Sequence, residues 1–464
     1  MCSQQQNRPS AVLSFKRLHF ALSPLELFSK LHKKFETVYL LESMEGPQKL
    51  ARYSFIGFDP SLTITVKDQL AVTRESTGSE DAQRVSDPLS AIKQILDNRS
   101  LRNSNFRFVG GAVGYISYDA VRYWERLPSQ TEAFGNFPDV QMGVFDDGVV
   151  FDHERNVVYY YTVGENRFDE VSKLRTESSE FPFLSFNKPK ANVTKERFEA
   201  SIERAKEYIR QGDIFQVVLS KRLDFRFRGD LIGFYNSLRR INPSPYMYFF
   251  KSGCLQIVGS SPEMLVRVEN RVLETFPIAG TRPIVENPAE NQRFAQELQA
   301  DPKERAEHVM LVDLARNDVG KVAEYGSVKV PEFMQVHEYS HVQHMVSRVV
   351  GRLRNGCESY DALKAVFPAG TVSGAPKPRA MEIIDELEPA RRGPYAGAVG
   401  YFSYNGNSDF AITIRTLFAE NEAAHVQAGA GIVADSVPER EWLETEHKAQ
   451  ALLKALQAAG GETL

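Results

Sequence analysis

The chain has 464 residues, which suffices for about three domains of typical size, and 42% of them are hydrophobic, as in ordinary globular proteins. The formal net charge is only -4, so the composition does not support nucleic-acid binding. Three cysteines without C-x-x-C spacing, and no apolar run long enough to cross a membrane, predict a cytoplasmic protein without a zinc cluster or membrane contact.

The N-terminal region is predicted to consist mainly of strands, because β-branched and aromatic residues recur between turn signals. The elements expected in chain order are strands around one helix (11–65), a polar surface loop (75–87), a helix (Pro88–Asn98), and strands (106–163) with turns at Asp147-Gly148 and Glu154–Asn156 and a hairpin over 149–163.

Residues 177–196 hold two prolines and few periodic apolar positions, which is typical of a boundary between regions. We therefore expect an N-terminal region over 1–185 and a longer C-terminal region over 190–460.

The C-terminal region mixes helices and strands without βαβ regularity. Helices are expected at Lys195–Gln211, ending at Gly212, near Leu231–Ile241, within Pro288–Asp318, at Ser359–Val366 and at Val437–Ala458. Strands are expected at 213–225, around the turns Ser252-Gly253 and Glu269-Asn270, and at 397–418. This order predicts an α+β fold with large antiparallel sheets.

One short segment is repeated in the sequence: GAVGYISYD at 111–119 and GAVGYFSYN at 397–405 agree at seven of nine positions. Either two equivalent strands face each other across a shared core, or a glycine-rich strand pattern simply recurs.

The segment 301–320 is predicted to be a helix, because Asp301 followed by Pro302 is a favourable start and apolar residues recur at helical spacing. Glu304 and Glu307 then share one face, either pointing into one site or facing solvent.

The segment 426–449 contains a second carboxylate pair. Ser436 and Glu439 have capping-box spacing, and Glu441, Glu444 and Lys448 fall on one face of the helix that follows. Carboxylates from two helices, with positions left for water and an anionic ligand, are typical of a magnesium site.

Several other positions offer groups for an anion. Gly429 and Gly431 remove side chains at a strand end, so backbone N–H groups can approach a carboxylate. Two loops, 277–285 and 367–384, place Gly-Thr in a turn among prolines, although either could be only a tight turn.

Two single side chains add to this chemistry. His344 is expected on a strand as an acid or base, although a lone histidine is often structural. Arg415 interrupts the apolar strand FAITIRTLF, so its guanidinium needs a partner, for which a bidentate carboxylate is suited.

Together these segments resemble the chorismate-using enzymes, and within them the large subunits of anthranilate synthases. The motifs are GDIFQVVLSKR, SSPEMLVR, PIAGTRP, AEHVMLVDLARNDVG, HVQHMVSRV, AGTVSGAPKPRAMEII, GAVGYFSYNG and QAGAGIVADSVPE. They occur in order between about 212 and 449, and GGAVGYISYD and LLES extend the likeness into the N-terminal region.

The resemblance implies an α+β fold of two large packed antiparallel sheets flanked by helices, with a magnesium-dependent site. It implies Glu307 and Glu444 as ligands of Mg²⁺ with Glu441 close by, and Glu304 and His344 as acid and base groups. Positions implied to hold chorismate are Gly280, Thr281, Thr371, Tyr395, Arg415, Gly429, Gly431 and Lys448.

Two further positions bear on the nucleophile. Gln216 stands where relatives that add water have lysine, and Ala279 stands where aminodeoxychorismate synthases carry a lysine that attacks the ring. The resemblance therefore favours ammonia attack, giving anthranilate and pyruvate for tryptophan biosynthesis. The alternatives are an aminodeoxychorismate synthase component and a catalytically silent, tryptophan-sensing subunit.

The nitrogen source is expected on another chain, because neither Cys254 nor Cys357 lies in a glycine-flanked nucleophile turn of a glutaminase. The resemblance implies a glutamine amidotransferase partner.

Feedback inhibition by tryptophan is also implied. The elements that resemble a tryptophan site are Leu41, Glu42 and Ser43, the loop with Asn242, Pro245, Tyr246 and Met247, and Val399, Gly400 and Tyr401. Glu42 is expected to pair the ammonium of the ligand, and plain core packing is the alternative interpretation.

Overall fold

The structure is a computed structural model that describes residues 13–19, 22–44, 52–97, 101, 106–128, 131, 135–174, 183–339 and 342–462. Its helices are α1 (Pro24–Lys34), α2 (Pro88–Asp97), α3 (Phe168–Ser172), α4 (Lys195–Gln211), α5 (Ile232–Ile241), α6 (Pro288–Ala300), α7 (Pro302–Gly320), α8 (Ser359–Val366), α9 (Lys377–Leu387) and α10 (Pro438–Ala459).

The strands of the N-terminal region are β1 (Ser14–Leu18), β2 (Thr37–Glu42), β3 (Tyr53–Phe58), β4 (Leu62–Lys67), β5 (Leu70–Glu75), β6 (Glu80–Arg84), β7 (Gly111–Ile116), β8 (Val140–Phe145), β9 (Asp147–Asp152), β10 (Val157–Thr162) and β11 (Leu184–Phe186). The following strands are β12 (Lys190–Ala191), β13 (Gln216–Arg228), β14 (Tyr246–Ser252), β15 (Leu255–Ser261), β16 (Met264–Glu269), β17 (Val272–Thr275), β18 (Ile278–Pro283), β19 (Lys329–Glu338) and β20 (Val342–Arg352). The last are β21 (Gly374–Ala375), β22 (Ala398–Ser403), β23 (Ser408–Ile412), β24 (Thr416–Glu420), β25 (Ala423–Ile432) and β26 (Gly460–Glu462).

Two large sheets contain these strands. The 14-stranded sheet has the order β1-β10-β9-β3-β2-β14-β15-β24-β25-β13-β11-β26, with β12 and β21 also paired to β13. The 12-stranded sheet has the order β18-β20-β17-β16-β23-β22-β7-β8-β4-β5-β6, with β19 paired to β20. Neighbouring strands run antiparallel, except that β11 and β26 run parallel.

The main hydrophobic core lies between the two sheets, where Tyr39 and Phe418 of the first sheet join the same cluster as Val113 and Phe410 of the second. Because side chains alternate along a strand, the neighbours of Tyr39 on β2 point to the other face and pack under α1, α5 and α10. This arrangement confirms the predicted α+β fold of two packed antiparallel sheets flanked by helices.

The helix predictions are largely confirmed. Helix α4 ends at Gly212, whose φ of 84° suits glycine, and α8 spans the predicted residues. Asp301 separates α6 from α7, and its carboxylate accepts from the backbone N–H groups of Lys303 and Glu304. None of the helices in the described ranges is long and apolar enough to cross a membrane.

Three local predictions are wrong. The turn expected at Asp147-Gly148 falls one residue earlier, because Asp147 already belongs to β9, which lies in the other sheet from β8. The polar residues 75–87 are not a loop throughout, since they contain the exposed strand β6. The predicted capping box also fails, because α10 begins after Val437 and the Ser436 hydroxyl accepts from the N–H of Val433.

The two similar segments, 111–119 and 397–405, contain neighbouring strands in the structure. Strands β7 and β22 are hydrogen-bonded antiparallel neighbours, with Gly114 opposite Gly400. They therefore lie side by side in one sheet and do not face each other across the core. The predicted boundary at 177–196 includes residues outside the described part of the chain, and strands from both sides of it share both sheets.

Candidate active site

The first group of predicted residues meets where β18, β20 and α7 come together. Thr281 on β18 lies opposite His344 on β20, and the His344 Nδ1 is 3.0 Å from both the Thr281 Oγ1 and the Gly280 carbonyl oxygen. Gly280 lies at an irregularity of β18, not in the predicted loop, with a φ of 73°. A Cβ on Gly280 would stand 2.9 Å from Oε2 of Glu304, so this position keeps room for that carboxylate.

The hydrogen bonds of His344 define its tautomer. Because the Gly280 carbonyl can only accept, Nδ1 carries the proton and Nε2 keeps its lone pair in the neutral ring. Burial lowers the pKa of His344, although the bond to Gly280 opposes this. The ring is therefore suited to act as a base through Nε2.

Carboxylates from α7 and α10 form the next group. Burial, together with the charges of Glu304 and Glu444, raises the pKa of Glu307, while burial and the adjacent Glu444 raise the pKa of Glu441. Glu444 also pairs with Lys448 at 2.7 Å. The two predicted carboxylate pairs are thus brought close enough to repel each other.

This donor set fits a hard cation that takes few protein ligands. In the part of the chain that is described, no three His, Cys, Asp or Glu side chains form a complete metal cage. Mg²⁺ needs no such cage, because one or two carboxylates, water and substrate oxygens usually complete its shell. A cation would also relieve the repulsion between Glu307, Glu441 and Glu444.

Arg415 lies at a point where the chain passes from one sheet to the other. It does not belong to a continuous strand as predicted, because β23 ends at Ile412 and β24 begins at Thr416 in the other sheet, and its φ is 50°. The Nη1 of Arg415 donates to the Asn242 side chain at 3.3 Å. Among the described carboxylates, none forms an ion pair with this guanidinium, so the predicted carboxylate partner is not a protein side chain there.

The two glycines of β25 leave space for polar side chains. A Cβ on Gly429 would stand 2.9 Å from the Tyr395 hydroxyl, and one on Gly431 would stand 2.6 Å from the Gln216 Nε2. The Lys448 ammonium donates to the Gly429 carbonyl at 2.9 Å. The predicted substrate-binding residues Gly429, Gly431, Tyr395 and Lys448 therefore lie together with Gln216, which is predicted to be catalytic.

Glu263 is a site residue that the sequence analysis missed, although its motif SSPEMLVR was noted. The side chain lies between β15 and β16, is 8% exposed, and accepts a hydrogen bond from the Thr371 hydroxyl at 2.8 Å. Burial raises its pKa to about 7, despite the nearby positive charges of Lys448 and Arg415. These same two cations act on His344, so the groups share one site. No periodicity signals such a residue, because its burial arises from tertiary contacts.

A family model described as chorismate binding enzyme matches residues 36–454. This chain belongs to the chorismate-binding enzyme family. It is 50% identical, over 94% of its length and 93% of the relative's, to anthranilate synthase component 1 of Methanothermobacter thermautotrophicus. The crystal structure of anthranilate synthase component I from Streptococcus pneumoniae has a TM-score of 0.77 and 37% identity, covering 88% of this chain and 93% of that one.

The fold is shared more widely in the family. The menaquinone-specific isochorismate synthase of Escherichia coli has a TM-score of 0.75 at 19% identity, covering 97% of this chain and 95% of that one. At that identity the likeness concerns the fold alone. The fold by itself therefore does not distinguish among the activities of the family.

A second pocket of about 560 Å³ lies at a different place, between β2, β14 and β22. Its lining includes Leu41, Glu42, Ser43, Pro245, Tyr246, Met247, Val399, Gly400 and Tyr401, all predicted for the tryptophan site. Asn242, also predicted there, does not line it. The Ser43 hydroxyl is buried and has no hydrogen-bond partner among the described residues, so a polar group is left available at the pocket.

Glu42, predicted to pair the ammonium of the ligand, has protein partners in this structure. Its carboxylate accepts from the Tyr235 hydroxyl at 2.8 Å and pairs with Arg239 at 3.0 Å. Glu42 is thus already neutralised by α5. The carboxylate that the sequence analysis missed is Asp409, which lines the pocket but also accepts from Tyr246 and pairs with Arg267.

Proposed function

We propose that this chain is the synthase component of an anthranilate synthase, converting chorismate and ammonia into anthranilate, pyruvate and water. The observation that carries the proposal is that a buried acid, Glu263, and a buried imidazole, His344, both lie near the same two cations, Arg415 and Lys448. The extensive similarity to proteins named anthranilate synthase component 1 supports it.

Binding of chorismate, a dicarboxylate, follows from the charges. Arg415 offers a guanidinium that forms no ion pair with a carboxylate among the described residues, and Lys448 adds an ammonium next to the Gly429 backbone. Planar guanidinium groups bind carboxylates through two parallel hydrogen bonds. Gly429 and Gly431 leave the backbone accessible, so a second anionic group can approach β25 closely.

The carboxylates of α7 and α10 are proposed to hold Mg²⁺. Glu307 and Glu444 are the ligands, and Glu441 stands beside Glu444. When bound, the cation supplies positive charge that holds the ring carboxylate of the substrate against these helices.

The proton transfers require one acid and one base. Ammonia attacks C2 of the ring, the double bonds shift, and the C4 hydroxyl takes a proton from Glu263 and leaves as water. The nitrogen attached to C2 loses one proton, which restores the acid form of Glu263. His344 then removes the proton from C2, the bond between C3 and the ether oxygen breaks, and the ring becomes aromatic. The released enolpyruvate takes up the proton from His344 at its methylene carbon and becomes pyruvate. A carboxyl with a pKa of about 7 keeps a proton available near neutral pH.

Other residues orient these two groups. Thr371 donates to Glu263, and Thr281 with the Gly280 carbonyl fixes the His344 ring. Glu304, the acid or base expected from the sequence, is held at 3.2 Å by Arg282. Its role in proton transfer stays a prediction, and Glu263 is our preferred acid.

Ammonia as the nucleophile is supported by two side chains. Gln216 cannot activate water as a lysine could, and its Oε1 is buried without a hydrogen-bond partner among the described residues. Ala279 cannot attack the ring, which disfavours an aminodeoxychorismate synthase.

A glutaminase partner is proposed to supply the ammonia, because Cys254 lies in a hairpin turn and Cys357 is buried, and neither matches a glutaminase nucleophile.

The second pocket is proposed to bind tryptophan as a feedback inhibitor. Its lining by Tyr401, Phe55 and Met247 suits an indole ring. Binding at a place distinct from the Glu263 region meets the requirement of two sites for allostery.

The direct test mixes purified chain with chorismate, magnesium and a high concentration of an ammonium salt at several pH values from neutral to alkaline, and follows anthranilate fluorescence. Glutamine should replace ammonium only when a glutaminase subunit is added. Isochorismate or salicylate as the main product would overturn the proposal. A non-fluorescent amino product would support the aminodeoxychorismate alternative, and no turnover under any condition would favour a silent regulatory subunit.

A further inference from the structure

Arg392 occupies the segment between α9 and β22 and is almost fully buried, with 3% of its surface exposed. Its Nε and Nη2 donate to the two carboxylate oxygens of Glu388, also buried, at 2.9 and 2.6 Å. Burying an ion pair gives little net stability compared with apolar residues of the same volume. We therefore look for the role of the Arg392–Glu388 pair in the positions of the groups that it contacts.

The guanidinium also donates to two backbone carbonyls. Nη1 is 2.7 Å from the carbonyl oxygen of Val372, the residue after Thr371, and Nη2 is 2.7 Å from that of Val218, on the strand that begins with Gln216. The N–H of Val218 donates to the Ser373 carbonyl at 2.9 Å. The loop that contains Thr371 and the strand that begins with Gln216 are thus joined by hydrogen bonds to each other and to the Arg392 side chain.

Two aromatic rings flank the same guanidinium. Its carbon lies 5.6 Å from the ring centre of Tyr395 and 4.7 Å from that of Tyr118. The partner Glu388 accepts from the backbone N–H and the hydroxyl of Ser220 at 2.8 and 2.7 Å, and Ser220 lies opposite Gly429. The contacts of this pair therefore reach Tyr395 and β25.

We propose that Arg392 is a positioning residue that fixes Thr371, Gln216 and Tyr395 at their places around the substrate ring. It touches no reacting atom, and the assignment of those three residues to the substrate rests on the proposed function. Four N–H groups in a planar fork make the contacts with Glu388, Val218 and Val372. A lysine ammonium is a compact charge with three donors and cannot span the same acceptors.

The test compares wild-type chain with Arg392→Lys and with the control Arg167→Lys. Arg167, more than 200 residues before Arg392 in the sequence, contacts the same kinds of group. It pairs with Asp147 at 3.0 Å, donates to the Phe58 carbonyl at 3.1 Å and lies 4.3 Å from the Phe58 ring centre. For each protein we measure thermal stability, kcat and KM for chorismate consumption, and the composition of the products by chromatography.

We expect Arg392→Lys to lower kcat/KM about 100-fold, the scale of a misplacement of about 1 Å, and to release a larger share of chorismate as non-aromatic C2 adducts. Arg167→Lys should lose comparable stability and keep both the rate and the product composition. A purely structural role for Arg392 would reduce the amount of folded enzyme without changing what each folded molecule makes.

Wild-type product composition together with kcat/KM within about twofold of wild type in Arg392→Lys would overturn the proposal. If Arg392→Lys does not fold, Glu388→Gln is tested in its place. The glutamine keeps an acceptor for Ser220 but weakens the hydrogen bonds to the Arg392 guanidinium. This variant should therefore shift the product composition in the same direction. Chorismate consumption is followed independently of anthranilate. A wild-type enzyme that makes another product would refute the proposed function and leave the comparison of variants valid.

Discussion

Asn242 accepts a hydrogen bond from Arg415, with 3.3 Å between the Asn242 Oδ1 and the Arg415 Nη1. The Asn242 amide also donates to the Ser260 hydroxyl at 2.6 Å, and the Ser260 N–H donates to the Arg415 carbonyl at 3.1 Å. Pro245, three residues after Asn242, lines the second pocket. This contact therefore joins the loop of the proposed tryptophan site to the proposed carboxylate anchor of the active site.

Replacing Asn242 by alanine should impair chorismate binding even without tryptophan. Loss of one hydrogen bond to a charged group corresponds to an increase in KM of about tenfold. Inhibition by tryptophan should weaken at the same time, because the link between the two sites is removed. Steady-state kinetics with and without tryptophan measure both effects, and Asn166→Ala in the N-terminal region is the control. Unchanged KM and unchanged inhibition would contradict this role of Asn242.

Glu263→Gln should abolish most turnover, because a glutamine cannot donate the proton that the leaving hydroxyl needs. The expected decrease in kcat is about 10²- to 10⁴-fold, the range for one acid or base group. Anthranilate fluorescence measures the rate, and Glu263→Asp serves as the comparison that keeps a titratable group. A kcat for Glu263→Gln near that of the wild type would remove Glu263 from the mechanism.

The same variant should be more stable than the wild type at high pH. The pKa of Glu263 is raised from 4.5 to about 7, so its contribution to folding is present below pH 4.5 and is lost as the pH rises through 7. From these two values, the wild type should lose up to about 3 kcal/mol relative to Glu263→Gln between about pH 5 and pH 9. Urea unfolding across this range is the measurement. Parallel pH profiles for the two proteins would show that Glu263 does not titrate with a raised pKa.

Glu307→Gln or Glu444→Gln should lower turnover by orders of magnitude and weaken its dependence on magnesium. The fold should survive, because these carboxylates repel each other without a cation and one neutral side chain relieves the repulsion. Turnover against magnesium concentration and calorimetric titration with Mg²⁺ test the assignment. The exposed Glu439→Gln on the same helix is the control. Near-wild-type turnover of both variants at modest magnesium would refute these ligands.

His344→Ala should reduce kcat about 10²- to 10⁴-fold while the loss of chorismate affinity stays small. Because burial lowers the pKa of His344 from 6.5, the neutral base persists below that pH, and the acidic limb of the kcat profile should lie below 6.5 in the wild type. The limb should disappear from the residual activity of His344→Ala. An acidic limb that is identical in both proteins would assign it to another group.

Ser43→Phe should abolish inhibition by tryptophan and leave activity without tryptophan largely intact, because the larger side chain occupies space in the pocket that the ligand needs. Ser43→Ala is the matched control, since it removes the unpartnered hydroxyl without filling space and should only weaken inhibition. Activity against tryptophan concentration is the readout. Wild-type activity unaffected by millimolar tryptophan, or equal sensitivity in Ser43→Phe, would place the regulatory site elsewhere.

Local sequence predicted the elements whose ends are set by local chemistry. Gly212 ends α4 through its backbone freedom, and Asp301 starts α7 through its own carboxylate. What local sequence did not predict are the contacts between partners distant in sequence. Asp147 belongs to β9, where its carboxylate accepts from Arg167, and Glu42 is neutralised by Arg239. Neither partner can be inferred from spacing, and the same holds for the burial that raises the pKa of Glu263.

The pairing of β2 with β14 and of β7 with β22 has a consequence for synthesis on the ribosome. When the N-terminal region has emerged, both strands still lack one neighbour, and β22 is translated almost 300 residues after β7. Open edges of this kind are templates for pairing with other nascent chains. We therefore expect this polypeptide to depend on chaperones during translation, and C-terminally truncated nascent chains to aggregate until Ser403 has left the exit tunnel.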